Sequence, residues 1–249
     1  MNNQLLKKTG AVLLALALWQ AVSMIVGMEM LLASPLKVLE RLSTIWREKD
    51  FLSTVLFSMG RIFGGFLLAF LAGIGLALPA GRFRTVEILL WPYVVTIKSV
   101  PIASFIILCL IWFSYIQMTV FIAFLIAFPV IYSNVLHGLQ SMDPQMLEMA
   151  RLYKVRGIRK LFYIQLPGVM PFLTSACSVA IGMAWKAGVA AEVIGVINGS
   201  IGQKLYDAKI YFQNADLLSW TLIIILLSVT GEKLFVRLLR HLYRKAVSR

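Results

Sequence analysis

Residues 55–80, VLFSMGRIFGGFLLAFLAGIGLALPA, decide the fold class because they form a long apolar run with a single charged side chain, Arg61. A helix of about 20 apolar residues crosses the hydrocarbon core of a bilayer. The whole chain shares this character: 60% of its residues are hydrophobic, 14% are charged and the mean hydropathy is +0.84. Lipid-exposed open strands would leave backbone groups unsatisfied, so we predict an all-α polytopic membrane protein.

Six transmembrane helices are predicted from the apolar runs. They cover about Gly10–Met28, Val55–Ala80, Ile88–Phe113, Met118–Leu139, Pro171–Val193 and Leu217–Val236. A cleaved signal peptide is the alternative for the first run, but no clear cleavage site precedes the next polar stretch, which favours a retained helix.

The distribution of lysine and arginine sets the expected orientation, with both termini in the cytosol of a bacterial inner membrane. In this topology fifteen of the 24 basic residues are cytosolic, among them Arg151, Lys154, Arg156, Arg159, Lys160 and Arg249. Six are external: Lys37, Arg41, Arg47, Lys49, Lys204 and Lys209. The net charge of +13 therefore indicates topology and contact with anionic lipid, and no nucleic-acid partner is expected.

The second span places small residues at every fourth position: Gly65, Ala69, Gly73 and Ala77. Such a face lets a neighbouring helix approach closely in lipid, either within the chain or across a dimer seam. Packing within the chain is the favoured interpretation. Arg61 is expected to extend its side chain toward the external surface.

Several chemistries lack the residues they need. Cys109 and Cys177 lie in apolar runs and are interpreted as small buried hydrophobes, and His137 and His241 have no partner at metal-ligand spacing. The phosphate-binding pattern Gly-x₄-Gly-Lys-Ser/Thr is absent from the sequence, as is any recognisable catalytic constellation. We therefore predict no enzyme activity, no metal and no cofactor in this chain.

The segment between the fourth and fifth spans is the candidate functional loop. Asp143-Pro144 predicts a helix start, with an acidic cap and proline at the first helical position. The helix should reach about Tyr153, with Met146, Ala150 and Tyr153 on one face and Leu147 and Arg151 on another. A basic run from Arg151 to Lys160 follows, interrupted by Gly157, and Leu166-Pro167 closes the loop.

This loop resembles the cytoplasmic loop of ABC-importer permeases, whose pattern is Glu-Ala-Ala, a glycine six residues after the Glu, and Ile-x-Leu-Pro. Glu148, Ala150, Ile164, Leu166 and Pro167 match, with the proline nineteen residues after the glutamate. Met149 replaces an alanine and Lys154 replaces the glycine, for which Gly157 is a possible substitute. The resemblance extends from Val55 to Leu242 and is similar to the nitrate/sulfonate/taurine branch; further matches are Phe128-Pro129, His137-Gly138, Ala184-Trp185, Ala191-Glu192, Gly199 and Gly202.

The resemblance implies that the helix around Glu148 docks on a separate cytosolic ATPase dimer, which binds ATP and Mg. It also implies a second permease chain, expected to be an identical copy, and an extracytoplasmic binding protein that delivers substrate. The corresponding domain prediction is an N-terminal helix with an external segment (1–54), a permease core (55–242) and a basic cytosolic tail (243–249).

Charged residues within spans are candidates for the substrate path. Lys98 is predicted near mid-membrane, followed by Ser99 and by Pro101, which should disrupt the helix. Lys186 follows Trp185 in the fifth span, and two cations facing one cavity would suit a small anion. The alternatives are a side chain that snorkels to the membrane surface and a structural charge pair, such as one between Lys186 and Glu192. The polar stretch Glu192–Asp216 should face outward, where its glycines allow close backbone approach or a tight turn. An ordinary surface loop is the alternative.

Two other functions remain open from the residues alone. A stand-alone secondary transporter or channel would need ion-coupling groups, for which Glu192 is a single candidate. An intramembrane enzyme would need the catalytic constellation that the spans lack.

Overall fold

The computed structural model describes residues 2–155 and 157–247, and this part of the chain forms helices and no strands. The helices, in chain order, are α1 (Asn2–Val26), α2 (Pro35–Ile45), α3 (Phe51–Arg82), α4 (Arg84–Ser99), α5 (Ile102–Trp112), α6 (Tyr115–Gln140), α7 (Pro144–Leu152), the single turn α8 (Ile158–Lys160), α9 (Leu166–Ile194), α10 (Ile201–Ile210) and α11 (Asn214–Val247). A π-helical turn, Leu161–Gln165, joins α8 to α9. The all-helical prediction is confirmed.

Five of the six predicted apolar runs each correspond to one helix, and their ends differ from those of the helices by one to eleven residues. The largest shift at an N-terminus is in α1, which begins at Asn2 and not at Gly10. The next largest is in α9, which begins at Leu166 and not at Pro171. Pro167 lies in its first turn, where the missing proline N–H has no intrahelical partner to lose. Two basic residues assigned to the cytosolic side, Arg156 and Arg249, lie outside the described residues.

The third predicted span, Ile88–Phe113, is not one continuous helix, and the prediction of a single helix here is wrong. It divides into α4 and α5, whose axes are bent by 102°. Val100 and Pro101 both adopt extended backbone angles at the break. Proline disfavours the helical conformation of the residue before it and donates no hydrogen bond of its own. The expected disruption at Pro101 therefore occurs, as a sharp change of direction.

Two amphipathic helices occupy segments for which no helix was predicted. α2 begins after Ser34, whose hydroxyl accepts a hydrogen bond from the Lys37 amide, and α10 begins after Ser200, which accepts one from Gln203. Each helix spans roughly three turns, so its stability comes from packing against the rest of the chain. α2 packs on α11, and α10 packs on α9 and α11.

The core lies between α3, α6 and α9, and each of these helices packs against the other two. A Cβ added at Gly65 would lie 2.3 Å from the Val120 carbonyl oxygen, and one at Gly73 would lie 2.9 Å from the Ile131 side chain. Ala69 and Ala77, on the same face, are fully buried. The small-residue face of α3 therefore packs within the chain, as the favoured interpretation predicted.

Four stretches in the described part of the chain are long and apolar enough to cross a membrane: Thr9–Val26, Phe51–Arg82, Tyr115–Gln140 and Tyr163–Ile194. The bent pair α4–α5 makes a fifth if it counts as one span. The first of these differs from the others because only 6% of its apolar window is buried inside the chain. The fold is thus that of a multi-pass helical membrane protein.

Candidate functional site

The loop between α6 and α9 (residues 141–165, the α6–α9 loop) begins with the predicted cap. The Asp143 carboxylate accepts a hydrogen bond from the Gln145 amide at 2.8 Å, and Pro144 opens α7. The carboxylate thus satisfies one of the amides that a helix start leaves without a backbone partner. α7 ends at Leu152, within one residue of the predicted end.

Lys154, two residues after the end of α7, has the left-handed conformation that stops the helix, with a φ of 53°. The Val155 amide donates to the Ala150 carbonyl at 2.9 Å, which is the six-residue hydrogen bond of a Schellman helix end. Glycine usually supplies this conformation because it has no Cβ to clash. Lys154 therefore adopts the backbone of the glycine that it replaces in the family pattern, and Gly157 makes a second left-handed turn at 61°.

The side chains of α7 separate into a buried contact and an exposed surface. Ala150 is 2% exposed, whereas Met146 and Met149 are nearly half exposed, and Glu148 is exposed as well. Tyr153 is 78% exposed just after the helix. The predicted common face of Met146, Ala150 and Tyr153 is therefore buried only at its alanine. Arg151 belongs to α7, but its side chain lies outside the described residues.

The loop is anchored at its second end by the start of α9. Ile164 is 7% exposed within the π-helical turn, and Leu166 and Pro167 continue directly into α9 without a break. A Cβ on Gly168 would lie 3.2 Å from the Met142 side chain, so the two ends of the loop lie close together. The arrangement presents a short helix on a support that is tied to two long apolar helices.

Glu192 lies in a different place from the loop and is fully buried at the C-terminal end of α9. Its carboxylate accepts hydrogen bonds from the Ser58 hydroxyl at 2.8 Å and from the Gly202 amide at 3.3 Å. Ser58 also accepts from the Ile201 amide at 2.9 Å. These acceptors satisfy two N-terminal amides of α10 and place a negative charge where the helix dipole favours it.

Two glycines let the chain reach this buried cluster. Gly202 has no room for a side chain, since a Cβ would lie 2.2 Å from that of Glu192, and Gly199 turns the chain at a φ of 74°. The prediction of close backbone approach and a tight turn is confirmed for these two glycines. The role of Ser58 was not predicted; its place one helical turn before Arg61 in an apolar run was the available signal.

Arg61 does not extend to a surface, and that expectation is wrong. The residue is 8% exposed, and its guanidinium carbon lies 3.5 Å from the centre of the Phe57 ring. One guanidinium nitrogen (Nη1) and one Glu192 oxygen (Oε1) are buried without a hydrogen-bond partner among the described residues. The physical reason is that a cation on an aromatic face, near a buried carboxylate, is held inside the protein.

The two candidate path lysines are separated in their environments. Lys98 lies in the last turn of α4 and donates a hydrogen bond to the Ser133 hydroxyl on α6 at 2.8 Å. The Ser99 hydroxyl donates to the Val95 carbonyl on its own helix. Lys186 is exposed beside Trp185, which is only 2% exposed. Neither lysine lies within ion-pair distance of a carboxylate in the described part of the chain, so the alternative pair between Lys186 and Glu192 does not form.

An ion-pair network, missed from the sequence, joins α2 to the start of α11. Arg41 pairs with both Glu48 and Asp216, and Lys204 on α10 lies 3.8 Å from Glu48. The Ser219 hydroxyl also donates to the Val38 carbonyl. The amphipathic helices α2 and α10 are therefore attached to one end of the long helices.

The described residues form a bundle of membrane-length helices that presents the short helix α7. The buried charged residues have structural roles inside this bundle. This is the architecture of a membrane transport component. A family model for the inner membrane component of binding-protein-dependent transport systems matches residues 65–248. The chain belongs to this family, whose members are permease components of ABC importers and are not enzymes.

Similar proteins include SsuC of Bacillus subtilis (strain 168), named for transport of aliphatic sulfonates, with 25% identity over 91% of this chain and 82% of that protein. The taurine transport system permease TauC of Escherichia coli (strain K12) is 26% identical over 80% of this chain and 75% of its own length. The nitrate import permease NrtB of Synechococcus elongatus is 26% identical over 78% and 72%. The chain is thus a permease subunit of an ABC importer, and as such it works with ATPase and substrate-binding partners.

Proposed function

We propose that this permease couples ATP use in a partner subunit to transport through the exposed helix α7. The observation that supports this is the combination of an exposed Glu148 and exposed methionines with a buried Ala150 in one short helix. An exposed surface on a short helix that is held between two long helices can follow a rigid-body movement of its partner. The proposed coupling residues belong to the α6–α9 loop and to the first turn of α9: Asp143, Pro144, Met146, Glu148, Ala150, Arg151, Tyr153, Gly157, Ile164, Leu166 and Pro167.

The test reverses one charge on α7. In the reconstituted complex, Glu148→Lys should lower substrate-stimulated ATP hydrolysis and uptake by about tenfold or more, because a like-charge contact at an interface is costly. Glu40→Lys is the matched control, since Glu40 is also exposed and lies on α2, far along the chain from the loop. Full coupling in Glu148→Lys, with the ATPase still co-purifying, would refute the docking role.

We further propose six membrane spans with both termini on the cytosolic side. The bent pair α4–α5 supplies one span, and α11 supplies the sixth, since residues 217–231 contain no charged side chain. With six spans the α6–α9 loop shares the side of both termini, as the excess of basic residues there favours. The network of Arg41 and the helices α2 and α10 then face outward, toward the binding protein.

A small anion is the proposed substrate class. The relatives are named for sulfonate, taurine and nitrate transport, and Lys98 and Lys186 are exposed without a carboxylate partner in the described part of the chain. The other candidate path residues are Ser99 and Pro101, next to Lys98 in the chain, and Trp185, next to Lys186. Glu192 lies at the outer end of α9. Two identical permease chains would enclose one path between them, and the exposed apolar surface of α1 is available for lipid or for the second chain.

Substrate class is tested by ATPase stimulation with the binding protein and a panel of sulfonates, nitrate and neutral solutes. Lys186→Ala should weaken uptake of the stimulating anion by about fivefold. Lys7→Ala is the control, because Lys7 is exposed near the N-terminal end of α1. Stimulation by a neutral solute alone would overturn the anion proposal and leave the coupling proposal standing.

A further inference from the structure

A groove between α9 and α11 carries a cluster of basic side chains that transport does not explain. Its larger part encloses about 430 Å³ and is lined by Thr174, Ser175 and Ser178 from α9 and by Glu232, Lys233, Arg237 and Arg240 from α11, with Val179 and Val236 as apolar walls. A second part of about 290 Å³ shares Thr174 and Arg240 and continues to Pro167, Tyr243 and Arg244. The two parts form one continuous groove.

The cations of the groove lie on one face of α11. Lys233, Arg237 and Arg240 follow one another at intervals of four and three residues, which is the spacing of a single helical face. From Lys233 to Arg244 the helix rises about 16 Å. Long side chains spaced along this distance can converge on one ligand.

The charges in the groove are not balanced by the chain itself. The single carboxylate of the lining, Glu232, accepts a hydrogen bond from Ser178 across the groove. Lys233, Arg237 and Arg240 form no ion pair with a carboxylate in the described part of the chain. With Arg244 of the second part, four cations line the groove against one engaged carboxylate, and this excess of positive charge favours the binding of an anion.

The composition of the groove selects the kind of anion. The basic end lies beside the start of α9 and the end of α11, on the side of the α6–α9 loop, whereas Val179, Val236 and Met170 line its walls. Basic pockets between membrane helices on the cytosolic side suit anionic lipid headgroups, and arginine binds phosphate through two parallel hydrogen bonds. The apolar walls would not contribute to the binding of a small free anion.

We propose that the groove between α9 and α11 binds the phosphate headgroup of an anionic phospholipid from the cytosolic leaflet, through Arg237 and Arg240, with the acyl chains along Val179 and Val236. The lipid would link the start of α9, which carries the α6–α9 loop, to the last turns of α11. The position in the cytosolic leaflet rests on the orientation proposed above, but the binding itself does not.

The test uses the full chain in neutral detergent and native mass spectrometry with added phosphatidylglycerol. Arg237→Gln with Arg240→Gln should weaken phosphatidylglycerol binding roughly 30-fold, since each cation contributes about fivefold. Arg82→Gln with Arg159→Gln removes the same charge from exposed positions on the same side and should leave binding unchanged. Arg237→Lys with Arg240→Lys keeps the charge and should show an intermediate loss, which guards against a folding defect in the glutamine variant.

Four outcomes would overturn the proposal. Equal binding by wild type and the glutamine variant would show that the groove is not the lipid site. Displacement of phosphatidylglycerol by millimolar inorganic phosphate, or equally tight binding of phosphatidylcholine, would show a site for a free anion or a non-selective apolar groove. A change in chain stoichiometry in the glutamine variant would show an interface between copies. The measurement requires no ATPase, so its result is independent of the coupling proposal.

Discussion

At the residue scale, Lys154 shows how a departure from a family pattern is accommodated. The backbone keeps the left-handed turn of the usual glycine, and the Val155–Ala150 hydrogen bond that depends on it is intact. A non-glycine residue in this region costs about 1 kcal/mol. The chain therefore retains the helix end at the expense of local stability in the loop.

Restoring glycine at this position should stabilise the end of α7. In Lys154→Gly, hydrogen exchange of the Val155 amide should slow about fivefold, because the strain of about 1 kcal/mol is removed from the closed state. Lys154→Ala removes the charge but keeps the Cβ, so it should give no such protection. Equal slowing in both variants would assign the effect to charge and contradict the backbone explanation.

The buried residues Glu192 and Arg61 show that the charge of a residue alone does not predict its role. Both were candidates for solute or surface roles from their charge alone, yet the structure surrounds Glu192 with Ser58 and the amides of α10. Buried charges are tolerated when hydrogen bonds and nearby opposite charge compensate their desolvation. Their place in an apolar helix predicted importance without predicting the kind of role.

At the element scale, the close contact of α3 with α6 depends on which face of α3 carries each glycine. Gly65 contacts the backbone of α6, whereas a Cβ on the adjacent Gly64 would meet no atom within 4 Å. The two glycines thus differ in their surroundings although they are neighbours in sequence. In lipid, where helices gain little from hydrophobic burial, this close packing holds the pair together.

Alanine substitution at the two glycines should therefore have opposite effects. Gly65→Ala should lower the free energy of unfolding by about 1–3 kcal/mol, because the helices must separate to admit the methyl group. Gly64→Ala should be neutral or raise it by up to about 1 kcal/mol through helix propensity. The midpoint of thermal unfolding in detergent, followed by circular dichroism, measures both. Equal losses in the two variants would show that the packing of α3 on α6 does not depend on the missing Cβ.

At the scale of the whole molecule, the chain has the features of one part of a larger assembly. The first helix buries little of its apolar surface inside the chain, and α7 presents exposed methionines beside Glu148. The apolar surface of α1 suits lipid or a second permease chain, and the exposed surface of α7 suits the proposed contact with the ATPase. Membership of the family of ABC-importer permeases agrees with such incomplete burial.

The orientation is tested by labelling single introduced cysteines in spheroplasts. Leu152→Cys, in the α6–α9 loop, should react with a membrane-impermeant maleimide only after permeabilisation, whereas Tyr211→Cys should react in intact spheroplasts. Both positions are well exposed, at 80% and 69%. The wild-type background serves as the control because Cys109 and Cys177 are buried. The reverse pattern of labelling would place α7 outside and remove the basis of the coupling proposal.

The amino-acid sequence by itself determined the all-helical membrane class, the runs that became α1, α3, α6, α9 and α11, and the capped helix α7, because apolar length and local capping are encoded within each segment. The loop pattern around Glu148 and Pro167 also determined the family. Only the tertiary structure decided the bend of α4 against α5, the helices α2 and α10, the burial of Arg61 and the groove between α9 and α11. These features depend on contacts between residues far apart in the chain, such as Ser58 with Glu192 and Arg41 with Asp216. Local sequence does not specify which distant residue a side chain will contact.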